Sequence, residues 1–289
     1  MKFGHSVRCL LFDLGSTLWT HKDERLIVVC EKIANLQAVL ELRRYTGFDV
    51  YPDADAVELG QLLRKSFEKQ IRVKTRQHPE YEPGFILAAM EALQQMGVPD
   101  VTRDLGEAIY EALRVRIPDS RVLFDDTLST LAALKERGYI LGVVTNRHYG
   151  GAPFHEDLKT MGLLDYFDLS CMAISADLGI RKPHSDMFMH ALNCLNVLPE
   201  EAAMIGDSLR ADIAGAKRLN ILAIWMAKKS LREEALAAQR ASDDESEPVL
   251  TDDFLLAYTR RTEKRGRQTP EDVRPDAIIE RLSDLLDVF

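Results

Sequence analysis

Five short apolar runs punctuate this chain: Val7–Phe12, Ile140–Val144, Leu169–Ile174, Ala202–Ile205 and Ile221–Trp225. Helical patterns separate the last four and also precede the second. Thr127–Arg137 is an example, entered after Asp126 and closed by Gly138 as a left-handed cap. Strands that alternate with helices pair in parallel, so the pattern predicts an α/β fold with a doubly wound parallel sheet.

One interval breaks the rhythm. More than a hundred residues separate the first run from the second, far more than one crossover helix needs. Within it, Arg25–Arg44, Ala54–Arg76, Pro83–Met96 and Arg103–Arg116 carry apolar residues at three-to-four spacing with charges between them. Residues 20–118 therefore read as an inserted α-helical cap domain lying over the C-terminal edge of the sheet, with the core built from 1–19 and 119–289. Basic residues mark this insertion at Arg43, Arg44, Lys65, Lys69, Arg72, Lys74 and Arg76. A solvated helix face is the plain reading; the sharper one has one or two of them selecting an anionic substrate.

Beyond the fifth run, Lys228–Arg240 reads as a surface helix. Ala241–Pro248 is acidic and Arg260–Arg267 basic, so 241–267 is expected to be an exposed or mobile segment of the core's C-terminal region. Apolar periodicity resumes at Ala277–Phe289, expected as a closing helix.

With 289 residues and 46% hydrophobic content, the chain can bury one large core and a smaller second domain. Its net charge of −9 argues against a general nucleic-acid binder, and any anionic substrate must be drawn by local donors. Cys9, Cys30, Cys171 and Cys194 form no CxxC pair; Cys9 and Cys171 sit in or beside apolar runs, which predicts buried thiols rather than disulfides or a zinc site. No signal peptide or membrane-spanning stretch is apparent, so a cytoplasmic location is expected. The sequence carries no signal for oligomeric state.

The chemistry gathers at the strand ends. The first run stops at Asp13, within Leu10-Leu11-Phe12-Asp13-Leu14-Gly15-Ser16-Thr17-Leu18. The second ends in Thr145-Asn146. After the third comes Gly179-Ile180-Arg181-Lys182-Pro183, with Pro183 expected to open a helix. After the fourth stands Gly206-Asp207-Ser208-Leu209-Arg210-Ala211-Asp212. Each has a structural reading alone: Thr145 and Asn146 or Asp207-Ser208 as helix caps, Lys182 as a surface lysine, Asp212 as an exposed helical acid. Four such coincidences at one sheet edge point instead to a site at a topological switch point.

This ordered set resembles the haloacid dehalogenase superfamily of aspartate-nucleophile hydrolases, across Val7–Leu18 and Val122–Trp225, with the insertion matching its helical cap type. The resemblance implies a Mg²⁺-dependent phosphatase acting on a small phosphorylated substrate. Asp13 would attack phosphorus in line and form an aspartyl-phosphate. Mg²⁺, a hard cation, would be held by Asp13, Asp207, the Gly15 carbonyl and Asp212, the last as a ligand or an anchor behind the ligands. Thr145 and backbone N–H groups near Asn146 would hold phosphoryl oxygens, and Lys182 would offset the crowded negative charge.

The chain departs from the family at Gly15, where its phosphatases usually carry a second Asp that protonates the leaving alcohol. General acid–base help is commonly worth ~10²–10⁴-fold. A readily departing substrate group, a proton from His21 or His148, or loss of turnover with binding retained would each accommodate the loss. Two rivals follow: a metal-free dehalogenase, whose relatives also lack the second Asp, and a binding protein that signals by occupancy. Asp207 weighs against the first, because uncompensated carboxylates are costly without a metal. The otherwise complete set of polar residues weighs against the second.

Overall fold

The computed structural model describes residues 6–47, 50–227, 231, 252–263 and 269–289. They fall into two compact units, Met1–Thr20 with Leu123–Phe289, and His21–Val122. In chain order the strands are β1 (Cys9–Phe12), β2 (Trp19–His21), β3 (Arg121–Leu123), β4 (Ile140–Thr145), β5 (Ala173–Ile174), β6 (Ala202–Gly206), β7 (Leu222–Met226) and β8 (Ala277–Ile279). β2 pairs with β3, and the other six form one sheet in the order β5-β4-β1-β6-β7-β8. Every pairing in that sheet is parallel.

β1 and β6 are buried along their whole length, as strands covered on both faces must be, and this is why they read as unbroken apolar runs. The register sets Phe12 level with Val143 on one side and Ile205 on the other. Three strands therefore end side by side, and the Asp13 N–H makes the last rung, donating to the Ile205 carbonyl at 2.9 Å.

The helical unit contains α1 (Glu24–Thr46), α2 (Ala56–Gln77), α3 (Phe85–Gln95), α4 (Arg103–Leu113) and the short α5 (Ile117–Ser120). Asp23, Asp55 and Thr102 cap α1, α2 and α4 by accepting backbone N–H groups. Their apolar stripes meet around Leu42, Leu63, Phe67, Phe85, Leu93 and Ile109. Gly60 lets α2 approach α1 closely, since a Cβ there would lie 2.8 Å from the Asn35 carbonyl oxygen. Among the basic residues of this unit, Arg44, Arg72 and Lys74 pair with Glu41, Glu68 and Glu91.

The structure differs from the sequence expectations at several places. Of the expected strand Leu169–Ile174 only Ala173–Ile174 is strand; Leu169–Cys171 is a 3₁₀ turn, because Asp168 accepts from the Ser170 N–H and offers the backbone a local alternative to the ladder. Ala277–Phe289 does not form one helix. Ala277–Ile279 is an edge strand, held where Asp276 exchanges hydrogen bonds with the Ala223 backbone, and only Leu285–Val288 is α-helical. Cys171 and Cys194 form a disulfide rather than staying thiols. Cys9 is free and buried, and burial pushes its thiol up to about 12. Pro183 does not open a helix; the next helix, Ser185–Cys194, starts two residues later with the His184 ring accepting from the Asp186 N–H. The Lys228–Arg240 helix and the acidic run lie almost wholly outside the described residues, as do 264–267; Asp252–Glu263 is helical. Among the described residues no helix is long and apolar enough to cross a membrane.

Arg64 ties three helices together, donating to Asn35 Oδ1 at 2.5 Å and to the Leu113 carbonyl at 2.8 Å. Asn35 is buried, so removing the guanidinium strands an amide and a helix-terminal carbonyl. Arg64→Leu should lower unfolding free energy by about 2–3 kcal/mol in denaturant titration; wild-type stability would refute this role.

Candidate active site

The side chains at the common strand end meet around one buried ammonium. Lys182 is 2% exposed, and its Nζ donates to Asp13 Oδ1 at 2.7 Å, Asp212 Oδ1 at 2.6 Å and the Val144 carbonyl at 2.6 Å. Three N–H groups thus meet three acceptors, the full capacity of a lysine. Burial by itself would push this ammonium down, but the charges of Asp13 and Asp212 and their hydrogen bonds hold it above its ordinary value.

Asp13 takes a second hydrogen bond on the same oxygen, from Thr145 Oγ1 at 3.2 Å. Its Oδ2 is the oxygen on the side of Gly15, 4.0 Å from where a Cβ on that glycine would stand. Asp207 joins the group: one carboxylate oxygen each from Asp13, Asp207 and Asp212 lie within 4.8 Å of one another. The Trp225 indole N–H, from β7, fixes the Asp207 backbone by donating to its carbonyl at 2.9 Å.

Asp212 is placed by a local irregularity. Leu209–Ala214 forms a π-helical turn after β6, with Asp212 and Ile213 N–H groups both directed at the Ser208 carbonyl. Such turns shift the helix register, here enough to bring Asp212 back over the strand it follows. Its Oδ2 accepts the Ser208 N–H at 3.0 Å. Burial raises the Asp212 carboxyl to about 6, and the nearby Asp13 charge adds to the rise against the pull of Lys182. Far from an exposed helical acid, it is among the most buried polar groups of the chain.

Asn146 faces elsewhere. Its amide clasps the Lys182 backbone from both sides, accepting from the Lys182 N–H at 2.8 Å and donating to the Lys182 carbonyl at 3.2 Å. It holds the lysine's loop rather than capping a helix. Gly15 forms an isolated bridge with Trp19, and the loop is closed by Ser16 N–H donating to the Trp19 carbonyl at 2.8 Å. Of the two histidines proposed as proton donors, His148 lies in the loop after β4, where loss of solvation, followed by the charges of Arg147 and Arg181, pushes its imidazole below its ordinary value. His21 lies on β2, at the start of the helical unit.

Sequence reasoning missed the Val144 carbonyl, Trp225 and Gly206 as parts of this arrangement. Backbone acceptors leave no residue signature, and a tryptophan in an apolar strand reads as core. Gly206 was visible beside Asp207, but its reason is steric and needs the fold: a Cβ there would stand 2.3 Å from the Asp212 carboxyl carbon.

Comparison with known proteins agrees with this geometry. Residues 7–220 match the family model of haloacid dehalogenase-like hydrolases. The chain is 37% identical over 147 residues to a phosphoserine phosphatase of Thermus thermophilus, a match covering 50% of this chain and about half, 54%, of that one. It is 28% identical over 235 residues to a ribulose-1,5-bisphosphate 5-phosphatase of Halopiger xanaduensis, covering 81% of this chain and 91% of that one. The crystal structure of a HAD phosphatase from Thermococcus onnurineus aligns with a TM-score of 0.53 at 24% identity over 98% of this chain and 97% of that one, which shows a shared fold.

Gly206→Ala should force the Asp212 carboxylate away from Lys182 and break a buried charge pair. The expected loss is about 3–5 kcal/mol of stability in denaturant unfolding. A loss below ~1 kcal/mol would mean that the turn accommodates the methyl group, contrary to the packing described.

Proposed function

The chain belongs to the haloacid dehalogenase-like hydrolases, and we propose that within this family it is a Mg²⁺-dependent phosphohydrolase acting on a small phosphorylated metabolite through an aspartyl-phosphate on Asp13. The observation that carries this reading is a convergence of carboxylates. One oxygen each from Asp13, Asp207 and Asp212 lies within 4.8 Å of the others, and the Lys182 ammonium is bonded to two of the three. Like charges drawn this close repel, and a divalent cation among them relieves that repulsion. Oxygen donors from carboxylates suit a hard divalent ion, which fits Mg²⁺ on Asp13, Asp207 and Asp212, with the Gly15 carbonyl as the proposed further ligand. Bound there, the ion would supply charge neutralisation for an incoming phosphoryl group.

The roles of the residues follow from their bonds. Asp13 Oδ1 is held by Lys182 and Thr145, which leaves Oδ2 to attack phosphorus. In that step an Oδ2–P bond forms and the bond from phosphorus to the ester oxygen breaks. Lys182 has spent all three N–H groups, so it compensates charge and aims the nucleophile. Thr145 and the backbone beside Asn146 are proposed to receive phosphoryl oxygens. The helical unit His21–Val122 is read as the cap that admits and selects substrate.

Gly15 supplies no proton to the departing oxygen, and loss of solvation and the charges of Arg147 and Arg181 disfavour the protonated form of His148. Where neither histidine supplies the proton, substrates with stable leaving groups are favoured: acyl, anomeric or aryl phosphates over alkyl ones. The same gap slows hydrolysis of the aspartyl-phosphate.

Hydrolysis of p-nitrophenyl phosphate should require Mg²⁺, cease with chelator and fall by at least ~10³-fold in Asp13→Asn. Metal-free chloride release from chloroacids would establish the dehalogenase instead, and silence in both assays the binding role. Gly15 has room for a side chain: the atom nearest to where its Cβ would stand is Asp13 Oδ2 at 4.0 Å, and its backbone φ is not positive. Gly15→Asp should then raise turnover of alkyl phosphates by about 10²-fold or more. No gain in a folded variant that still responds to Mg²⁺ would show that proton delivery is not the limiting loss.

A further inference from the structure

We infer that Arg147 reads a second anionic group, a carboxylate, on a short phosphorylated substrate; the inference rests on the phosphohydrolase reading and narrows its substrate class. Arg147 lies two residues beyond Thr145 on the same loop, so the two backbones are at most ~7 Å apart. Its main chain is pinned at both ends by buried Ser175, which accepts the Arg147 N–H at 2.8 Å and donates to the Arg147 carbonyl at 3.1 Å. The guanidinium carbon lies 5.8 Å from the centre of the Trp19 ring and 6.0 Å from that of Tyr149. An arginine fixed at its backbone and held near two aromatic rings is preorganised for recognition.

What it lacks is an anion. Among the described residues no carboxylate pairs with it, and its Nε–H is buried without an acceptor. Nearby Asp157, wholly buried, is engaged by the Tyr149 hydroxyl. Among the described residues the Trp19 indole N–H is a second buried donor without an acceptor, on a residue 1% exposed that opens β2 and bridges to Gly15 of the loop following Asp13. Two orphaned donors on neighbouring side chains, each costing ~1–3 kcal/mol when unmet, call for an acceptor that the described residues do not supply. A carboxylate offers two oxygens in one plane and matches the guanidinium fork. In a chain of net charge −9, a cation left unpaired beside the phosphate-receiving loop is a local exception to the global charge.

The test uses the full-length chain carrying Asp13→Asn, with Mg²⁺ present, titrated by calorimetry with 2-phosphoglycolate, ethyl phosphate and ethylene glycol bisphosphate. Phosphoglycolate should bind ~10-fold or more tightly than ethyl phosphate. Adding Arg147→Met should abolish that preference, while Arg147→Lys should keep part of it; melting curves establish that both variants are folded. Equal binding of phosphoglycolate and ethyl phosphate, a preference that survives Arg147→Met, a bisphosphate preferred over the carboxylate, or no binding of any of the three would each overturn the inference. Turnover by the wild-type chain is read separately. An Arg147-dependent preference without turnover would retain this subsite and reject the phosphohydrolase; turnover without the preference would do the reverse.

Discussion

The ammonium of Lys182 is the point on which the rest of the site balances. It is buried at a depth where a lone charge would be driven off, and it persists because two carboxylates and one carbonyl take all its protons. The dependence is mutual. Without that cation Asp13 and Asp212 would each lose a charged hydrogen-bond partner while remaining close to Asp207. The Asn146 clasp on the Lys182 backbone, the Thr145 hydroxyl on Asp13 and the Ser208 N–H on Asp212 are the means by which separate loops are held to that single atom.

The sheet makes the convergence possible. Because β1 lies between β4 and β6 in level register, residues far apart in the chain leave the sheet at one edge. Each loop then adds its own device. The π-helical turn carries Asp212 back over β6, and Gly206 leaves the space that its carboxylate fills. The Trp225 indole, from the next strand, anchors the Asp207 carbonyl. These are small displacements, but a charge pair in a low-dielectric interior responds to fractions of an ångström.

Much of this was legible in the amino-acid sequence, for identifiable reasons. β1, β4, β6 and β7 are continuous apolar runs, and the helices of the His21–Val122 unit carry a clear three-to-four repeat, so both kinds of element appear close to where they were expected. Asp13, Thr145, Lys182, Asp207 and Asp212 each stand just past, or in the loop after, such a run. The misreadings share a cause: short segments in which local polar contacts outvote periodicity. Asp168 diverts Leu169–Cys171 from the ladder, and Asp276 recruits Ala277–Ile279 into it. The Cys171–Cys194 pairing joins residues 23 apart whose proximity depends on how the Ser185–Cys194 helix packs, which spacing does not encode. The two hydrogen bonds between the Asn146 amide and the Lys182 backbone join residues 36 apart, a contact that spacing does not encode either.

The placement of β1 has a consequence for how the chain is made. This strand precedes both of its neighbours in the chain: β4 ends roughly 130 residues after it and β6 roughly 200, on the order of 7–40 s at ordinary rates of translation. Until β4 is made, four apolar residues with unpaired backbone wait without a template. The helical unit, complete by residue 122, intervenes before either partner exists. A nascent chain of this design is most vulnerable to aggregation early, and co-translational chaperoning of its first strand would matter more to yield than the stability of the finished fold.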